Sequence, residues 1–144
     1  MSDKAAAVTA WEALFRAQVS VLRQLHDEFP TGELSLNEYD VLFNLSRQTD
    51  RRTRIRDLNR QLLLTQPSVS RLVDRLVSRG LVRKEADPGD GRGTVVCLTD
   101  DGYDLYRRIG AVHAEAIHQH MSALSPAELR NLTTLSDKLR KAQE

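Results

Sequence analysis

The stretch from Ile55 to Thr99 limits the fold of this chain more than any other part of it. In Val69-Ser-Arg-Leu-Val-Asp-Arg-Leu76 the apolar residues are Val69, Leu72, Val73 and Leu76. That spacing is the i, i+3, i+4, i+7 stripe of a helix with one buried face. The opposite face carries Pro67, Arg71, Asp74 and Ser78, flanked by Ser70 and Arg75. The pattern predicts a helix from about Gln66 to Arg79, preceded by a shorter one over Ile55–Leu63. A short helix packed on one side, with Ser and Arg near the start of its other side, suits the major groove of duplex DNA. After Gly80 the period changes to two, with strand-like runs at Leu81–Glu85 and Thr94–Leu98. Between them Asp87-Pro-Gly-Asp-Gly-Arg-Gly93 is too rich in Pro and Gly for helix or strand. The expected result is a helix-turn-helix followed by a β-hairpin with an extended tip, a wing.

Charge is distributed to match. Between Arg51 and Gly93 there are eleven Lys or Arg against five acids, a local +6. The chain as a whole carries +1, so the remainder sums to −5. A basic middle between acidic ends is the footprint of a nucleic-acid surface mounted on something else.

Helical periodicity runs through both ends of the chain. A long helix is expected from Ala5 to Phe29, broken by Pro30 and Gly32. Ser35 with Glu38 forms a capping-box pattern, with Leu34 and Tyr39 as a hydrophobic staple, and starts a helix from Leu36 to about Arg47 that buries Leu36, Tyr39, Leu42 and Phe43. Gln48–Thr53 reads as a polar loop. Thr99 caps a long helix to about Met121, and Ser125-Pro-Ala-Glu128 opens the last one. Leu129, Leu132, Leu135 and Leu139 form a narrow seam that calls for a partner helix. With Leu14 near the other end, this surplus apolar surface exceeds what a compact winged lobe can cover and predicts a homodimer. The fold class is therefore mainly α with a small β-hairpin. Residues 35–99 form a winged helix-turn-helix lobe, and residues 1–34 and 100–144 a helical dimerisation region.

Several function classes lose support. Among 144 residues no apolar run approaches the ~20 needed to span a membrane. The polar N-terminus does not read as a secretory signal, and the lone Cys97 cannot form an internal disulfide, which together favour the cytoplasm. There is no nucleophile–base pairing, no nucleotide-binding glycine fingerprint and no clustered metal-ligand spacing, so neither an enzyme nor a cofactor is expected. His113, His118 and His120 are spaced by five and two residues and do not share one helix face, so no metal site is assigned. Cys97 has no close basic neighbour in sequence and reads as a buried structural thiol.

Taken together, the elements resemble the MarR-type family of winged helix-turn-helix transcriptional regulators. The residues that carry the resemblance are Leu36-Asn-Glu-Tyr-Asp-Val-Leu42, Val69–Leu76, Gly80-Leu-Val-Arg-Lys84, Asp87-Pro-Gly-Asp-Gly-Arg92 and Leu98-Thr-Asp-Asp-Gly102. The resemblance implies a homodimer whose terminal helices intertwine and whose two winged lobes bind a pseudo-palindromic site. It further implies a repressor relieved by a small phenolic or lipophilic effector, or by cysteine oxidation. By the same analogy Trp11, Phe15 and Tyr39 would line the effector pocket; as aromatics they serve equally well as core. One departure is Gly91, which stands where many relatives carry a second wing Arg and which loosens the loop.

On this reading Gln66, Pro67, Ser68, Ser70 and Arg71 face base edges. Thr65 is the N-cap of the recognition helix and, with the free amides of the first turn, suits a phosphate. Arg75 meets the backbone, and Arg92 enters the minor groove with Asp90 holding its guanidinium. The competing reading of Arg71 and Arg75 is surface pairing with Asp74. Competing functions are an architectural DNA-binding protein without an effector, and a metal- or redox-responsive regulator.

Overall fold

A computed structural model describes residues 2–62 and 68–144. The elements are α1 (Asp3–Glu28), α2 (Leu36–Ser46), a 3-10 turn (Thr49–Arg51), β1 (Arg52–Arg54), α3 (Ile55–Gln61), α4 (Val69–Ser78), β2 (Val82–Asp87), β3 (Asp90–Leu98), α5 (Asp100–Met121) and α6 (Pro126–Ala142). The chain divides into two compact units, one of residues 29–112 and one of residues 1–28 with 113–144.

In the 29–112 unit, helices α2, α3 and α4 pack with a three-stranded antiparallel sheet ordered β1-β3-β2. The α2 capping box is formed: the Ser35 amide donates to Glu38 Oε1 at 2.9 Å and the Glu38 amide donates to Ser35 Oγ at 3.1 Å. Leu42, Leu58, Leu72, Val73, Leu76 and Val96 are almost wholly buried and form the centre of the core. Each such side chain stabilises the fold by about 1.5–3 kcal/mol relative to exposure. Tyr39 and Phe43 are half-buried, while Val41 and Leu45 take fully buried positions beside Leu36 and Leu42.

The stretch expected to be a loop before α3 holds the 3-10 turn and β1. Arg52, Thr53 and Arg54 pair with Cys97, Val96 and Val95. Three polar residues show no apolar alternation, and their strand state comes from the edge of β3, which local pattern cannot reveal. The turn before β1 is tight: Asp50 and Arg51 both have positive φ, 56° and 54°. The hairpin tip is also shorter than the composition suggested. β2 and β3 reach Asp87 and Asp90, which face each other, so only Pro88 and Gly89 turn the chain.

In the other unit α1 and α6 contain no buried side chain. The second capping box is present, with Ser125 and Glu128 exchanging bonds of 2.9 and 3.2 Å. His120 Nε2 lies 2.9 Å from both carboxylate oxygens of Glu28, tying the end of α1 to the end of α5. Trp11, Phe15, Leu135 and Leu139 are more than half exposed. No helix among the described residues is long and apolar enough to cross a membrane.

Candidate nucleic-acid interface

Helix α4 has the expected two faces. Leu72, Val73 and Leu76 are buried, and Ser70, Arg71 and Arg75 are exposed on the other side. Ser68 caps its described start: Ser68 Oγ accepts from the Arg71 amide at 3.3 Å, and the helix runs on from Val69. A side-chain oxygen at the N-cap satisfies an amide that the first turn would otherwise leave unpaired. Thr65, Gln66 and Pro67 lie outside the described residues. The helix ends in a Schellman turn. Gly80 sits at φ 74°, its amide bonds Val77 O at 3.0 Å, and the Leu81 amide bonds Leu76 O at 3.0 Å.

The basic segment is less uniform than its composition. Five of its eleven cations are paired within the chain. Arg52 and Arg83 share Glu85 at 2.8 and 2.9 Å, Arg54 Nε lies 2.6 Å from Asp87 Oδ2, Arg79 meets Glu38 at 3.3 Å, and Lys84 bonds Asp74. The guanidinium of Arg83 beside Glu85 holds that carboxyl below the usual range. Asp74, the partner considered for Arg71 and Arg75, is thus taken by Lys84. Among the described residues Arg71, Arg75 and Arg92 form no ion pair, and Arg71, Arg75 and Arg92 are all exposed. Arg51, Arg56 and Arg60 likewise have no carboxylate partner among the described residues; Arg51 lies over the ring of Tyr103, 3.5 Å from its centroid.

The wing is organised by a residue that the sequence reading did not single out. Asp87 is nearly buried at the base of the turn. Its Oδ2 forms an ion pair with Arg54, and its Oδ1 accepts from the Gly89 amide at 3.0 Å. Asp-Pro-Gly is a sequence signal for such an Asx turn, but its partner Arg54 depends on β1, which has no such signal. Asp90 meets Arg92 through its backbone: Asp90 Oδ1 accepts from the Arg92 amide at 3.0 Å, and no ion pair with the guanidinium forms. With Gly91 between them, the amide two residues on is the donor that this short side chain meets.

Cys97 is buried on β3, as expected, but for a different reason. Arg52 and Arg83 stand directly opposite it on the two neighbouring strands. Burial raises the thiol despite both guanidiniums, and Glu85 adds to the rise.

Tyr39 belongs to an aromatic cluster in the 29–112 unit. Its ring lies 5.4 Å from Phe29 and 5.4 Å from Tyr106. Burial, with Tyr106 beside it, pushes its hydroxyl up to about 12. Trp11 and Phe15 belong to the other unit, 5.6 Å apart on α1. Leu14 lies between them in sequence and is 38% exposed, while Leu129 and Leu132 are half-buried on α6. Among the described residues no three His, Cys, Asp or Glu come together as a metal site.

Residues 33–93 match the model of the MarR family. The HTH-type transcriptional regulator YkoM of Bacillus subtilis is 33% identical over 85 residues, 59% of this chain and 55% of its own length, so the match spans little more than half of that relative. Sco3205, a MarR family transcriptional regulator from Streptomyces coelicolor solved in complex with DNA, superposes with a TM-score of 0.77 at 26% identity, over 96% of this chain and 88% of its own. Bordetella bronchiseptica BpsR, whose DNA binding is regulated by 6-hydroxynicotinic acid, superposes with a TM-score of 0.72 at 28% identity, over 90% of this chain and 91% of its own.

Proposed function

We propose that this chain, whose residues 33–93 match the model of the MarR family, is a member of that family and a sequence-specific, double-stranded DNA-binding transcriptional regulator. It acts as a cytoplasmic homodimer that represses from pseudo-palindromic operators and is released by a small phenolic or lipophilic effector. It is not an enzyme. One observation carries the DNA reading: in a segment where five cations are neutralised internally, Arg71 and Arg75 on α4 and Arg92 on the wing are exposed and form no ion pair among the described residues.

In this mechanism the exposed face of α4 enters the major groove. Gln66, Pro67, Ser70 and Arg71 meet base edges, and the Arg71 guanidinium donates two hydrogen bonds to a guanine. Ser68 holds the first turn in shape as its cap. Thr65 and Arg75 meet phosphates. The Arg92 guanidinium enters the adjacent minor groove, where a narrow A·T stretch concentrates negative potential. Asp90 shapes the wing through the Arg92 amide. The dimer forms through Leu14, Leu129, Leu132, Leu135 and Leu139, a reading supported by two long helices with no fully buried side chain within one chain. Release by a small molecule is supported by likeness to BpsR, whose DNA binding 6-hydroxynicotinic acid regulates.

Selection of duplexes from a random pool, followed by footprinting, tests the proposal. Two protected half-sites about 10 bp apart are expected, and Arg71→Ala should flatten the preference at one base pair of each half-site. A single half-site, or an unchanged preference in Arg71→Ala, contradicts it. Effector release is tested by adding phenolic acids to the selected complex.

A further inference from the structure

Arg71, Arg75 and Arg79 follow one another at intervals of four along α4 and its cap, and from sequence they read as one basic row. The structure separates the last from the other two. Arg79 Nη1 lies 3.3 Å from Glu38 Oε2, and its Nη2 donates to the backbone carbonyl of Glu33. Glu38 is itself fixed at the start of α2 by the Ser35 amide. The Glu33 carboxylate receives both terminal nitrogens of Arg108 on α5, one of them at 3.2 Å. The Arg108 guanidinium holds the Glu33 carboxyl below the usual carboxylate range.

A second set of bonds joins α5 to the same end of α4. Thr99 Oγ1 donates to Gly80 O at 2.7 Å, and the Thr99 amide donates to Leu81 O at 3.2 Å. Gly102 leaves no room there: a Cβ would stand 2.0 Å from Leu81 O. The C-terminal end of α4 is therefore a junction with the start of α2 and the first half of α5, whereas its N-terminal face is exposed.

We infer, resting on the DNA-binding reading above, that Arg79, Glu33 and Arg108 form a strut that sets the tilt of α4, with Arg79 a positioning residue and not a DNA contact. The lever is long enough to matter. A ten-residue helix spans about 15 Å, so a tilt of about 10° at its C-terminal end displaces the first turn by about 2–3 Å. Base-edge hydrogen bonds do not survive a shift of that size. The strut gives α5 a direct hold on how α4 is presented, through side chains that face away from the groove-reading residues.

The test uses the full chain and the tightest duplex that wild type selects from a random pool. Arg79→Gln, Glu33→Gln and Arg108→Gln should each weaken that duplex about three- to tenfold, while the slope of log affinity against log salt stays at the wild-type value. The charge swap Glu33→Arg with Arg108→Glu should recover affinity to within about twofold. Each phosphate contact contributes about 0.9 to the slope and a dimer carrying the variant would lose two, so a slope reduced by about 1.8 in Arg79→Gln makes Arg79 a contact and overturns the inference. Hydrogen exchange gives a readout that needs no DNA. The amides of Gly80 and Leu81 should exchange about threefold faster in Arg108→Gln, although Arg108 bonds neither. Unchanged exchange overturns the strut whatever the protein binds. If wild type selects no duplex, the regulator reading fails and the exchange result alone decides the strut.

Discussion

Gly102→Ala provides a sharp test because two physical rules give it opposite signs. Gly102 lies in the first turn of α5, and in a helix Ala is favoured over Gly by about 1 kcal/mol. Packing opposes this. A Cβ at this position would stand 2.0 Å from Leu81 O, 2.8 Å from Leu98 Cδ1 and 2.9 Å from Leu81 C. Ordinary carbon–oxygen contacts are about 3.3 Å, so backbone must move by more than about 1 Å. The Thr99 amide bond to Leu81 O and the Gly102 amide bond to Thr99 Oγ1, at 3.2 and 3.0 Å, span that gap. Losing them costs about 1 kcal/mol each, and forced overpacking costs about 1–3 kcal/mol. After the propensity gain, the net loss is about 2–4 kcal/mol. At a urea m-value of about 2 kcal/mol/M, the midpoint should fall by about 1–2 M. Gly32→Ala, where a Cβ meets nothing within 4 Å, is the control and should change little. A Gly102→Ala midpoint equal to or above wild type refutes the packing argument.

Other substitutions probe the wing, the helical unit and its response to acid. Asp87→Ala removes the ion-pair partner of Arg54 and the acceptor for the Gly89 amide; a loss of about 1–2 kcal/mol in urea unfolding is expected, with faster proteolytic nicking of residues 87–93. Leu135→Glu with Leu139→Glu places charge on side chains that are 60% and 55% exposed in one chain; sedimentation should show monomers, and an intact dimer removes these residues from the interface. Burial lowers His113 below its ordinary 6.5. The unfolded chain therefore takes up this proton first, and stability should be level above pH 6.5 and fall as pH drops through that value. His113→Leu should flatten that limb in urea midpoints measured at pH 7.5 and 5.5; an unaltered limb assigns the acid sensitivity to other groups.

The parts of this fold that are legible in sequence are those fixed by neighbours along the chain. Ser35 with Glu38 and Ser125 with Glu128 mark helix starts because both partners of each capping box lie within one turn. The α4 stripe, the Gly80 turn and the Thr99 cap follow the same logic. What escapes is set by pairing across the chain. β1 exists because β3 offers it an edge, and Arg54 finds Asp87 only once β1 is in place. Cys97 shows the same limit: its basic neighbours are forty-five and fourteen residues away in sequence and adjacent in the sheet. The candidate interface divides along the same line. That Arg71 and Arg75 face outward follows from helical period, but that Lys84 occupies Asp74 does not.

Under the proposed function, the internal pairing of Arg52, Arg54, Arg79, Arg83 and Lys84 has a consequence for the search along a chromosome. Cations already matched to carboxylates displace few of the sodium or potassium ions condensed on a duplex, and that displacement drives non-specific adhesion. A protein with eleven free cations in this region would dwell on any sequence. Among the described residues this one leaves six without a carboxylate partner, on α3, α4, the wing and the turn before β1, so under the proposed function wrong sites are vacated sooner and the search shortens.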